Sequence, residues 1–397
     1  MLDIPKIQIQ IKNKINMLFN EVRNFPEISN VMIDYLLKLK FSNLKSLVDE
    51  ESYLIRRFKE IAYPLELEFH PPNHEYGDSL DGSWAIRALN NKLIIGIDTS
   101  EIAPTPHVTP LFLLVNVGFQ AINYGDRSSH FNGSKPFFYV YSELAEEIGG
   151  IKTVPSWTLE IKRLENELKV ISELIDLPFK SEYKIVFFDE SFSISYLMAR
   201  DQNFRNKIIQ AMDELQCKLR DLNIIPIGIF YTRSKAFTYS VIKSIICSNV
   251  KCSECSFDIE EKPCKKYSIV RDLALFNEVL KIGWRSPVFE VKSQITSQFR
   301  NFKVLAFYVK VGSGNLFRVE FPDWCLDYID LIHDVVLAQS IIGRGYPYVL
   351  ERAHEEAYIS SSERRWLLNY IDKLIRGSGG SGLVLSGKFK RKIRGVL

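Results

Sequence analysis

The sequence predicts an α/β protein, a mixed β-sheet flanked by helices and preceded by an N-terminal helical region. Three observations predict it. Residues 1–62 carry Ile and Leu at helical spacing, through IKNKINMLFNEVRNF, VMIDYLLKLK and YLIRRFKEIAY, with little β signal. Three apolar runs follow at 93–100, 110–122 and 135–144, separated by Pro- and Gly-bearing loops, the pattern of an antiparallel meander. A helical stretch from Ser156 to Leu177 then separates the meander from YKIVFFDES (183–191), a run too apolar to be half exposed. Strand, helix and strand in that order require a crossover into a buried sheet.

The remaining elements extend this plan. The crossover helix carries an apolar stripe of Ile161, Leu164, Leu168, Ile171 and Ile175, with Ser156 and Thr158 as caps. A helix over 203–221, the strand NIIPIGIFY (223–231) and an amphipathic stretch (235–247) come next. After a Cys-rich loop, helix 271–280 precedes KVLAFYVKV and LFRVEF, a hairpin closed around Gly312-Ser313-Gly314. Helices near 324–340, 347–358 and 361–376 end the body, and GSGGSG (377–382) has the composition of a flexible break. The organisation expected is therefore an N-terminal helical region (1–62), an α/β body (63–376, with the Cys-rich loop at 247–264) and a Gly/Ser break with a basic tail (377–397).

Composition bounds the function. The 397 residues are 46% hydrophobic and 25% charged, with a mean hydropathy of −0.06. No apolar run approaches the roughly 18–20 residues that span a bilayer. The opening MLDIPKIQIQIKNKINMLFN mixes charges and Asn into its apolar residues, unlike a signal peptide, so a cytoplasmic protein without membrane contact is expected. A net charge of +3 decides little, because basic residues can cluster locally where phosphates lie. The clearest cluster is Lys388, Lys390, Arg391, Lys392 and Arg394, a tail without an acid that suits either solvent or phosphate.

Two apolar strands end alike, at Ile97-Asp98-Thr99-Ser100 and Phe188-Asp189-Glu190-Ser191. A carboxylate is costly inside an apolar core, but at a sheet edge facing a cleft it can bind a hard cation such as Mg²⁺ or Mn²⁺. Each Asp could equally cap the turn that follows it. Glu160, Glu165, Glu167 and Glu173 on the helix between them compete as a third carboxylate, Glu167 bordering the apolar stripe. Near the C-terminus GYPYVLERAH (345–354) puts Pro347 at a first helical position, with Tyr346 and His354 eight residues apart.

In this order the motifs resemble the NurA nucleases, which work with a HerA-type hexameric translocase in archaeal DNA end resection. The resemblance runs over about 93–397. It takes in the strand ending at Asp98, the strand with Val117-Gly118, the Glu-bearing helix, VFFDES, IGIFYTRSK, YSIVRDLALF, LFRVEF and, most specific, GYPYVLERAH. It implies an RNase H-like fold and a Mn²⁺-dependent (or Mg²⁺-dependent) DNA nuclease, a 5′→3′ exonuclease with single-strand endonuclease activity. It further implies a homodimer docked on a HerA-like hexamer. By position Asp98, Glu167 and Asp189 would hold metal, with His354 beside it as ligand or acid and Tyr346 nearby, against a base or phosphate or in packing. Two departures stand out: Thr99 and Glu190 occupy positions where the family has glycine. They leave room for a catalytically weak paralogue that binds DNA or a translocase. A third reading, an Argonaute- or transposase-type RNase H-like protein, is opposed by GYPYVLERAH. Asp81-Gly82-Ser83 matches the family tripeptide literally but follows no apolar strand.

Four cysteines, Cys247, Cys252, Cys255 and Cys264, fall within eighteen residues. Their spacing suits a Zn²⁺ site, disulfides or free thiols, since a second C-x2-C is missing. Cys217 and Cys325 read as core residues.

Overall fold

In a computed structural model the described residues are 3–40, 51–125, 129–178, 180–231, 238, 240–242, 267 and 270–387. The four clustered cysteines and the basic residues from Lys388 onward lie outside them. Of the other two, Cys325 is buried and Cys217 only half-buried on a helix surface. No described helix is long and apolar enough to cross a membrane.

The chain divides into two compact units, both discontinuous in sequence. One comprises residues 1–72, 230–297 and 303–319. It contains the long helix Ile4–Leu37, capped by Asp3 accepting from Lys6 N at 3.2 Å, and the helix Glu51–Phe58. The end of the expected helical region, 60–62, instead belongs to a strand, Glu60–Pro64, paired antiparallel with Phe289–Ser293. Lys59 breaks the helix in the left-handed region (φ 67°), and a strand partner some 230 residues away leaves no local trace in the sequence. Two buried polar pairs lie in this unit: Tyr308 donates to Asp272 at 2.7 Å, and Arg318 faces Glu60 at 3.5 Å.

The second unit holds the sheet that matters for the site. It contains α1 (Gly82–Leu89), β1 (Lys92–Ile102), β2 (Val108–Thr109), β3 (Phe112–Asn123) and β4 (Ser129–Val140). Then come α2 (Thr158–Ile175), β5 (Tyr183–Phe188), α3 (Gln202–Asp221) and β6 (Ile224–Phe230). The chain closes with α4 (Ile329–Ile342), α5 (Tyr348–Ala357), α6 (Ser361–Gly377) and β7 (Val384–Leu385). The sheet order is β6-β5-β1-β3-β4. β1, β3 and β4 form the expected antiparallel meander, whereas β5 and β6 run parallel to β1. Three antiparallel strands followed by two parallel ones make this mixed sheet RNase H-like. Asp81 belongs to a turn, as its lack of a preceding strand implied: it caps α1, accepting from Ser83 N and Trp84 N.

Helices cover both faces of this sheet. α2 packs on β1 and β3 through buried Leu164, Val170, Ile171 and Leu174. α5 packs on β1 and β3 from the other side, and it does so at backbone distance. A Cβ on Gly96 would collide with the Val349 carbonyl, and one on Gly118 with the Ala353 carbonyl and Ala357 N. Val349, Leu350, Ala353 and Ala357 form the buried face of the helix.

The Gly/Ser segment is a turn rather than a free linker. Gly379 and Gly382 take φ 84°, which only glycine adopts cheaply, Gly380 N donates to Ile375 O, and Asp372 accepts from Leu383 N at 2.7 Å. The turn delivers β7 to β2 in antiparallel register. Leu383 joins a cluster with Ile102, Val108, Phe112 and Leu368.

Two stability predictions follow from this packing. Gly118→Ala should cost about 3 kcal/mol or more, the upper end for overpacking, because its neighbours are backbone atoms that cannot rotate away. Gly82→Ala, with open space around it, is the control in the same thermal melts. Deleting residues 383–397 should cost about 1.5–3 kcal/mol for the Leu383 side chain alone and lower Tm by several degrees. An unchanged Tm would show that β7 does not dock.

Candidate metal centre beside the end of β5

Parallel pairing puts Ile97 opposite Phe188, so Asp98 and Asp189 are the next residues on each side. β1 does not end at Asp98 as expected but runs on to Ile102, paired with β3, whereas Asp189 lies just past the end of β5. They stand side by side although 91 positions apart in sequence. Each is held by a residue of the GYPYVLERAH phrase. His354 Nδ1 lies 2.7 Å from Asp98 Oδ2, and Tyr346 O–H donates to Asp189 Oδ1 at 2.7 Å. An ionised carboxylate only accepts, so against ionised Asp98 the His354 ring donates through Nδ1 and Nε2 stays outside the pair. The close seating of α5 on Gly96 and Gly118 fixes the first of these pairs, since Asp98 is the register partner of Gly118. Burial raises the Asp189 carboxyl above the usual range, the Tyr346 hydrogen bond opposes this, and the Asp98 charge adds to it. The Tyr346 hydroxyl is thus committed to a carboxylate, whatever its ring does.

Thr99 and Glu190, the next residues along, bring in the α2 face. Successive side chains of a strand point to opposite faces. Thr99 Oγ1 donates to Glu167 Oε1 at 2.7 Å, and Glu190 Oε2 accepts from Arg163 Nη2 at 2.6 Å. Glu167 is 2% exposed, and burial pushes its carboxyl up to about 7, against the opposing pull of Arg163. Its Oε2 has no hydrogen-bond partner, nor has Glu190 Oε1. The competing helix glutamates are engaged elsewhere: Glu165 pairs with Lys162, Glu173 with Lys135, and Glu160 with Arg163. Of the four, Glu167 is the one hydrogen-bonded to the strand that carries Asp98.

Among the described residues no three His, Cys, Asp or Glu side chains converge tightly enough to grip an ion. Electrostatics accounts for this arrangement. Clustered carboxylates repel, and each here turns to a donor of its own: His354, Tyr346, Thr99 or Arg163. The donor set nonetheless fits a hard divalent cation, with carboxylate oxygens, one imidazole and a buried Glu167 oxygen that lacks a partner.

Arg163 escaped the sequence reading. Its signal was spacing: it lies one turn from both Glu160 and Glu167 on α2, where i,i+3 and i,i+4 neighbours meet. Thr99→Val tests the tie to Glu167. Losing a hydrogen bond to a charged buried group costs about 1.5–3 kcal/mol. In the folded protein Glu167 is charged only above about pH 7. The loss in Tm should therefore be larger at pH 8 than at pH 5.5, and an equal loss at both would refute the assignment.

The NurA domain model matches residues 92–359. Among solved structures, the NurA nuclease from Sulfolobus solfataricus matches with a TM-score of 0.50 at 13% identity, over 95% of this chain and 98% of that one. A second NurA crystal structure matches with a TM-score of 0.37 at 12% identity, over 93% and 97% of the two chains. NurA bound to dAMP and manganese gives 0.34 at 13% identity, over 91% and 96%. No curated protein matches the chain in sequence. The Sulfolobus likeness speaks to fold, whereas the domain match spans more than half the chain and takes in Asp98, Glu167, Asp189, Tyr346 and His354. The chain belongs to the NurA family.

Proposed function

We propose that this chain is a Mn²⁺-dependent DNA nuclease that hydrolyses phosphodiester bonds, with Asp98, Glu167, Asp189 and His354 as metal-binding and catalytic residues and Tyr346 in support. The observation that carries the reading is the juxtaposition of Asp98, where the parallel pairing of β1 with β5 stops, and Asp189, just past the end of β5, each held by a donor from the 345–354 segment. Family membership supports the same reading. When bound, a divalent ion would supply Lewis acidity at the scissile phosphate and lower the pKa of an attacking water. The protein's own residues do the rest. Asp98 orients the His354 ring through Nδ1, leaving Nε2 either to bind the ion or, in the imidazolium form, to give a proton to the departing 3′ oxygen. Tyr346 fixes the Asp189 carboxylate, and Thr99 fixes Glu167.

The finer reading is a 5′→3′ exonuclease on single- and double-stranded DNA with single-strand endonuclease activity. The protein would act as a homodimer with a HerA-type translocase in DNA end resection and repair. Family resemblance supports this part.

The test is cleavage of end-labelled single- and double-stranded DNA with Mn²⁺, Mg²⁺ or EDTA. EDTA should abolish cleavage. Asp98→Ala and Asp189→Ala should each lower the rate by at least about 100-fold, because removing a ligand removes transition-state stabilisation of several kcal/mol. DNA affinity should survive, since phosphate contacts lie elsewhere. Full cleavage by both variants at saturating metal would refute the assignment. DNA binding without cleavage by the unaltered protein would establish the catalytically weak, DNA-binding alternative. Labels at the 5′ and 3′ ends read the polarity in the same gels.

A further inference from the structure

We propose that Arg163 is a built-in countercation of the carboxylate cluster, setting how strongly the site attracts a divalent ion. The proposal rests on the metal-site reading above and concerns a residue that reading does not use.

Four observations carry it. Arg163 lies on α2, one turn from Glu160 and one turn from Glu167, and its side chain reaches both, at 3.4 and 3.8 Å. It also donates to Glu190 at 2.6 Å, so that a single guanidinium serves three carboxylates. Glu190 directly follows Asp189 in the chain, and Thr99, which holds Glu167, directly follows Asp98. The cation therefore acts on Glu190, the neighbour of Asp189, and on Glu167, the partner of Asp98's neighbour Thr99. It also sits among charges that are poorly solvated: Glu167 is almost fully buried, and one oxygen of Glu167 and one of Glu190 have no hydrogen-bond partner.

A guanidinium cannot lose its proton in this environment. It is thus a permanent positive charge in a place where an ion could otherwise settle. Two effects follow. Its hydrogen bond ties up one oxygen of Glu190, Oε2, and leaves Oε1 without a partner. Its charge also cancels part of the negative potential that draws a divalent cation, and in a partly buried cluster a unit charge within about 4 Å is a large term. Neutralising Arg163 should therefore tighten metal binding. A purely structural Arg163 predicts the reverse, because loosening the carboxylates would weaken it.

The experiment measures Mn²⁺ binding to the full chain without DNA, by calorimetry and by the Mn²⁺-dependent rise in Tm. Arg163→Gln, which retains hydrogen-bond donors but no charge, should lower Tm in EDTA and bind Mn²⁺ about tenfold more tightly, with a larger Tm rise. Arg163→Lys keeps the charge without the fork and should bind Mn²⁺ as the unaltered protein does. Arg163→Gln with Glu190→Gln removes both charges and should return affinity toward the original. Equal or weaker Mn²⁺ binding by Arg163→Gln overturns the proposal. Should Arg163→Gln fail to fold, tighter binding by Arg163→Lys would overturn it instead, since charge would then not be the controlling property. If the unaltered protein binds no Mn²⁺ up to millimolar concentration, the metal-site reading itself fails, and the proposal with it.

Discussion

Helix α5 lies against β1 and β3 at a separation set by two missing Cβ atoms, at Gly96 and Gly118. Most of the candidate site's geometry is referred to this contact. It fixes the height of the helix over the sheet, and thereby the reach of His354 to Asp98. The Gly345-Tyr346-Pro347 approach to the helix is carried along with it, which brings Tyr346 to Asp189. Protein interiors adjust poorly to added volume. A helix seated on backbone therefore behaves as a hard stop, and the two Asp–donor pairs inherit its rigidity.

The carboxylates pose the opposite problem, because they repel one another and lose hydration on burial. The protein gives each a separate donor and splits them between the two faces of the sheet. Asp98 and Asp189 share a face with α5, while Glu167 and Glu190 reach the strand ends from the α2 side. Alternation along a strand makes this division automatic once two acidic or polar residues follow each other. The pairs Asp98-Thr99 and Asp189-Glu190 are thus short sequence devices for addressing both layers at once.

Much of this was legible in the sequence, for reasons that differ by element. The meander and the crossover helix follow local periodicity, and local patterns survive folding. Asp98 was found by the same pattern, although β1 runs on past it to Ile102. Glu167 could be preferred over its neighbours because it borders the apolar stripe, and the preference matches its burial. Thr99 and Glu190 read only as departures from a family pattern. Their partners, Glu167 and Arg163, sit on α2, and no local rule joins a strand end to a helix face. The strand Glu60–Pro64 was hidden for a similar reason, since its pairing with Phe289–Ser293 is entirely non-local. The Gly/Ser segment misled in another way. Its composition is that of a loose tether, but two left-handed glycines and an accepting Asp372 close it into a turn.

That turn has a consequence for biosynthesis. β7 pairs with β2, and Leu383 completes a cluster begun by Ile102, Val108 and Phe112. A ribosome adds about 5–20 residues per second, so those apolar side chains wait roughly 15–55 s after Phe112 is made before Leu385 is added. His354 and Tyr346 also arrive late, long after Asp98 and Asp189. A nascent chain would thus carry the paired aspartates without their partners and with an apolar edge uncovered. Such an intermediate is a natural client for chaperones. It also places the assembly of the site after the synthesis of His354, 256 residues beyond Asp98.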